Sequence, residues 1–69
     1  MKEIRSFQCD KRPLLSEYQE ALKIAQNDHC IIVLQWSVPW SGTYSEVVTD
    51  DMAEDELELL ANKKYVYPL

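Results

Sequence analysis

Glycine is almost missing from this chain: one occurs in 69 residues, at position 42. A Gly-rich phosphate cradle of the P-loop or dinucleotide-binding type needs several, so nucleotide binding by those devices is excluded. Histidine is limited to His29, and the two cysteines, Cys9 and Cys30, stand far apart. Neither H-x₃-H nor C-x₂-C spacing exists, so no metal and no cofactor is expected. The same cysteine count does not make a secreted disulfide framework, and both are read as reduced thiols. No serine sits in a G-x-S-x-G turn. No apolar run approaches the ~20 residues of a membrane span, and the opening MKEIRSFQCD lacks the apolar core of a signal peptide. A cytoplasmic chain without membrane contact is the expectation.

Positive charge is missing over a long stretch. From Ile24 to Asn62 there is no Lys or Arg, while Asp28, Glu46, Asp50, Asp51, Glu54, Asp55, Glu56 and Glu58 all fall there. The net charge of −5 is therefore gathered in the middle and second half of the chain. Phosphate contacts need clustered Lys and Arg, so direct nucleic-acid binding is not expected.

What is present is a composition that folds. Hydrophobic residues make up 46% and charged residues 28%, which argues against disorder. The length allows one domain, residues 1–69, with a thin core, and scaffolds of this size often lean on a disulfide, a metal or a second subunit. Association is thus expected to matter, a homodimer included.

Residues 2–8, KEIRSFQ, read as a first strand with Ile4 and Phe7 as apolar members. Pro13 suits the first turn of a helix. From Leu14 to Asp28, the residues Leu14, Leu15, Tyr18, Ala21, Leu22 and Ala25 fall within one arc at 100° per residue, which predicts an amphipathic helix with Ile24 off the stripe. HCIIVLQWSV, 29–38, is rich in β-branched residues and predicts a strand. Cys30, Ile32, Leu34, Trp36 and Val38 share one face and Ile31 and Val33 the other, so this strand is expected to be central or covered on both sides. PWSG, 39–42, separates it from the alternating TYSEVV, giving a hairpin whose tip presents Trp40 near Tyr44.

A second helix is expected to begin at Thr49, Asp50 or Asp51, with Asp51 and Glu54 at capping-box spacing. Acids fill its first turns and Lys63 and Lys64 its last, as the macrodipole favours. Ala53, Leu57, Leu60 and Ala61 form its apolar stripe, with Met52 and Leu59 near the edge of the acidic face. YVYP, 65–68, predicts a short last strand. The order βαββαβ is that of the ferredoxin-like split βαβ unit, so the expected fold is α+β with an antiparallel sheet and both helices on one face. The other arrangement considered is a hairpin with two helices and no paired termini.

Few residues offer chemistry. His29 and Cys30 are adjacent and would point to opposite faces of a strand, so they make no nucleophile–base pair there. The acidic DDMAEDE lacks the glycine turn of an EF-hand loop. No catalytic residue is assigned, and the protein is expected not to be an enzyme.

Two features point to binding instead. Six carboxylates lie between Asp50 and Glu58, a density that capping and dipole effects explain in part and that also imitates a run of phosphates. The aromatic set Trp36, Trp40, Tyr44, Tyr65 and Tyr67 includes one ring, Trp40, that a Pro-Trp-Ser-Gly turn makes hard to bury. The expected site is a protein-binding surface made of Trp40, Tyr44, Met52, Asp55, Glu56, Glu58 and Leu59, facing a partner with a basic surface. In size and charge the chain resembles the small acidic inhibitors encoded by bacteriophages and other mobile elements, and that resemblance implies an inhibitor of host nucleic-acid-handling machinery. The alternative is a homo-oligomeric domain that pairs, or holds a small apolar ligand, through the Ile31 and Val33 face of its sheet.

Overall fold

The computed structural model describes residues 2–64. The elements run β1 (Ile4–Cys9), α1 (Leu15–Asp28), β2 (Ile31–Val38), β3 (Gly42–Val48) and α2 (Glu54–Asn62). The last strand expected at 65–68 lies outside the described residues.

Among the described residues β2 holds the centre of a three-stranded mixed sheet, ordered β1-β2-β3. It pairs in parallel with β1, Ile4 opposite Ile31 through Cys9 opposite Trp36. With β3 it pairs antiparallel, Ile32 opposite Val48 through Val38 opposite Gly42. The α+β class holds, but the all-antiparallel ferredoxin-like sheet does not. In a split βαβ unit another strand lies between the two that the helix joins; here β1 and β2 are direct neighbours and β3 folds to the outer side of β2. β2, apolar on both faces, takes the central position, where the side chains of β1 and β3 flank its own on each face.

α1 supplies the crossover that parallel strands require. Of its expected stripe Tyr18, Ala21, Leu22 and Ala25 are buried against Cys30, Ile32 and Leu34 of the β2 region, with Val48 and Leu57 completing one cluster. Leu15 packs partly against it, and Leu14, at the N-cap outside the helix, is 60% exposed. Ile24, expected off the stripe, packs partly against this cluster as well. Leu57 carries α2 onto the same side of the sheet, so both helices share one face. The opposite face shows Ile4, Ile31, Val33 and Val47 at one end and Ser6, Gln8, Gln35 and Ser45 beyond them.

The helix ends differ from the sequence expectation in instructive ways. Pro13 precedes the N-cap of α1, Leu14, rather than occupying the first turn. Leu14 has no side-chain acceptor, and Glu17 Oε1 accepts the Leu14 N–H at 3.1 Å. His29, expected to open the strand, instead closes α1 at φ +50°, and Cys30 N–H returns to Ala25 O at 3.2 Å. That is a left-handed helix stop made by a histidine in the place glycine usually takes. α2 starts later than the Asp51–Glu54 spacing suggests: its N-cap is Ala53, whose N–H donates to Glu56 Oε1 at 3.4 Å. Asp51 instead accepts the Thr49 hydroxyl in the preceding turn. At the far end Lys63 is the C-cap and Lys64 lies beyond it, and the carbonyls of Leu60 and Lys63 accept hydrogen bonds from the Arg12 guanidinium.

Candidate functional site

α2 positions the acidic surface. Leu57 is fully buried, and Leu60 and Ala61 are half-buried beside it, which fixes the rotation of the helix. At 100° per residue the outward pole then falls near Asp55, Leu59 and Asn62, with Glu56 and Glu58 on its two flanks. Leu59 is 71% exposed, a large apolar side chain that the fold does not use. None of the ion pairs among the described residues engages Asp55, Glu56 or Glu58. Asp55 accepts the Glu56 N–H and Glu56 the Ala53 N–H, so two of the three carboxylates also serve the helix start.

The other acids are employed elsewhere. Asp50 accepts a hydrogen bond from Lys2 Nζ, and His29 Nδ1 lies 3.8 Å from its second oxygen. The Lys2 hydrogen bond holds the Asp50 carboxyl below its ordinary value of 3.8 and lifts the lysine. Glu46, on the helix-covered face of β3, meets Lys63 Nζ at 3.1 Å. Asp28 meets Arg5 at 2.6 Å, and Arg5 also reaches Glu3, whose carboxyl it lowers. Glu54 accepts from Gln19 Nε2 at 3.2 Å, tying α2 to α1.

The aromatic half of the expected site is separate. Trp40 is 70% exposed at the β2–β3 turn, as the turn sequence suggests. Tyr44 does not join it as a free ring: it stacks on Trp36 with centroids 6.1 Å apart, and its hydroxyl shares a hydrogen bond with Ser41. Trp40 lies instead against Lys11, Arg12, Val38 and Pro39, in a shallow cleft of ≈ 320 Å³. Met52 follows the opposite end of β3 and is half-buried against the core. The length of β3 separates it from Trp40 by about 20 Å. α2 runs with its N-terminus at Gln19 and its C-terminus at Arg12, so its acids are also at the end away from Trp40. Of the expected residues, the structure brings together Asp55, Glu56, Glu58 and Leu59. Trp40, Tyr44 and Met52 fall outside that surface.

A larger cleft of ≈ 520 Å³ was not legible in the sequence, because it lies between β1 and α1 rather than on either element. Its floor is Ala21, Ile24, Ile32 and Leu34, Phe7 forms one wall, and Asp10, Glu17 and Glu20 stand on the rim. Cys9 also lines it, and desolvation first, then Glu17 and Asp10, push its thiol up, away from the thiolate a nucleophile needs. Cys9 and His29 are at opposite ends of the sheet, since β1 and β2 are parallel and His29 precedes β2. Cys30 is buried with its Sγ toward Ile24 O. Among the described residues no group of three His, Cys, Asp or Glu is placed to hold a metal ion, and no helix is long and apolar enough to cross a membrane. No family model matches the chain, and no curated protein and no solved structure matches it.

Proposed function

We propose that this protein is a non-enzymatic binding module whose α2 docks on a basic protein surface. The carrying observation is the exposed Leu59 set among Asp55, Glu56 and Glu58, three carboxylates that no cation of the described residues neutralises. Carboxylates of this kind steer encounter with a positive surface, and a desolvated leucine at their centre lengthens the life of the complex. Surfaces that track a nucleic-acid backbone carry the densest Lys and Arg, so the proposed partner is a nucleic-acid-handling protein whose basic groove α2 occupies in place of phosphates. Blocking that groove makes the module an inhibitor.

The test is comparative capture from the lysate of the native host. Wild-type protein is expected to retain a basic nucleic-acid-binding protein that moderate salt releases and that added duplex DNA or RNA displaces. A Leu59→Lys variant and an Asp55→Asn, Glu56→Gln, Glu58→Gln triple variant are expected to lose it. Equal retention by both variants would refute the assignment of α2.

A second reading rests on the open sheet face, where Ile4, Ile31, Val33 and Val47 adjoin and Ile4 is 64% exposed. It predicts a homodimer joined through that face. Light scattering that finds a dimer, lost in Val33→Glu, would support it; a monomer at all concentrations would remove it.

A further inference from the structure

Among the described residues β1 is an edge strand, and its register states which of its backbone groups no described strand pairs. Ile31 N–H donates to Glu3 O at 2.8 Å, and Ile4 is opposite Ile31. In a parallel ladder this alternation turns the peptide groups of Glu3, Arg5, Phe7 and Cys9 toward β2. The N–H and C=O groups of Ile4, Ser6 and Gln8 consequently face outward along an edge that no described strand occupies. β1 contains no proline and no bulge that would blunt this edge.

Beside that edge, on the helix-covered side, runs the cleft between β1 and α1. α1 packs over β2 and β3, and on the inward face of β1 Cys9 packs against the core while Phe7 remains 43% exposed at the cleft wall. The Arg5–Asp28 ion pair, at 2.6 Å, ties β1 to the C-terminal end of α1. Asp10 and Ser16 mark the other end, and Glu17 and Glu20 line the α1 side. An edge strand whose outward peptide groups have no partner among the described residues, next to an apolar slot walled by a helix, is the arrangement that accepts an extended peptide as an added strand.

We infer that this groove binds an extended segment of a partner protein, which pairs with β1 through Ile4, Ser6 and Gln8 and places one apolar side chain in the cleft between Lys or Arg residues. Backbone pairing supplies the register. Alternate side chains of an added strand point to the same face, so the residue two positions before the apolar anchor and the residue two positions after it reach the acidic rim. Charge decides the occupant. Glu20 already meets Lys23 at 3.7 Å, whereas no cation of the described residues pairs with Asp10 or Glu17. A second copy of this chain would bring its own Asp10 and Glu17 to the same seam with a net charge of −5, while a basic segment neutralises them. The inference stands on β1 and α1 and is independent of the α2 surface.

The probe is a blocked seven-residue peptide with lysine, leucine and lysine at its second, fourth and sixth positions and threonine elsewhere, a palindrome that pairs in either direction. Titrated into isotopically labelled protein, it is expected to shift the amide signals of Ile4, Ser6 and Gln8 and to slow their hydrogen exchange by about tenfold or more. A peptide with glutamate in place of lysine is expected to leave those signals unmoved. An Asp10→Lys, Glu20→Lys variant, changed only at solvent-facing side chains, is expected to bind the lysine peptide about tenfold more weakly. The α2 triple variant is expected to bind it normally, which separates the two proposals. Unchanged exchange at Ile4, Ser6 and Gln8 with the lysine peptide at saturating concentration would overturn the inference, as would equal binding of the glutamate peptide. Concentration-dependent protection of the same amides without peptide would assign the edge to a second copy instead.

Discussion

Tyr18 carries the sharpest consequence of burial at a single residue. It is fully buried in the core cluster, and its hydroxyl has no hydrogen-bond partner among the described residues. Burial first, and the nearby Glu46 carboxylate second, push the phenol up to about 12. Below the ordinary tyrosine value near 10 this phenol leaves stability independent of pH, and as pH rises toward 12 stability falls, because the unfolded chain releases the proton first. Tyr18→Phe is therefore expected to raise stability by about 1 kcal/mol at neutral pH, by removing an unsatisfied polar group. It is also expected to shift alkaline unfolding to higher pH, read by circular dichroism beside phenolate absorbance. A loss of more than about 2 kcal/mol would show that the hydroxyl is satisfied after all. Trp40 was legible in the sequence because a four-residue turn with proline and glycine leaves a large ring nowhere to go. Tyr44 was misread because it sits two residues past Gly42, already in register opposite Trp36, where stacking captures it.

Elements were legible where periodicity alone decides them. The α1 stripe and the alternation in β2 follow directly from which side chains are apolar. Both helices bury the centre of their stripes, Tyr18, Ala21, Leu22 and Ala25 in α1 and Leu57 in α2, while Leu14 and Ala53 at the two N-caps stay exposed. Topology was harder to read, yet one signal for it was present: a strand apolar on both faces belongs at the centre of a sheet. The split βαβ expectation gave that signal too little weight. Capping misled for a physical reason, since Thr49, Asp50 and Asp51 are all competent caps and the tertiary contacts of Asp50 with Lys2 and His29 hold that turn outside the helix. The observed box predicts that Glu56→Ala lowers stability by about 0.5–1 kcal/mol while Asp51→Ala changes it less. Urea midpoints of the two variants check this, and a larger effect at Asp51 would place the helix start where the sequence alone suggests it. The cleft beneath β1 had no sequence signal, because it arises from where α1 crosses the sheet.

At the scale of the whole molecule the charge is divided by use. Lys2, Arg5 and Lys63 neutralise Asp50, Asp28 and Glu46 on the body of the fold, while the outer face of α2 keeps its negative charge. Asp50 and Glu3 are both held below their ordinary values by hydrogen bonds from cations. A depressed carboxyl contributes stability that is present above its unfolded value and lost as pH falls through the folded one. Acid unfolding is thus expected to begin below about pH 4, and Asp50→Asn to reduce the steepness of that limb. An unchanged acid limb in the variant would show that the Lys2 contact is not maintained in solution. The α2 carboxylates act on a different quantity, the rate of encounter with a positive partner, which salt screens over about 10 Å at 0.1 M.

Association kinetics against ionic strength, measured by stopped flow with the captured basic partner, test the α2 docking surface most directly. Wild-type protein is expected to associate fast at low salt and to slow steeply as salt is added. The Asp55→Asn, Glu56→Gln, Glu58→Gln variant is expected to associate about tenfold more slowly at low salt, with a flattened salt dependence. Identical rates and slopes for the two proteins would contradict the assignment of α2 as the docking surface.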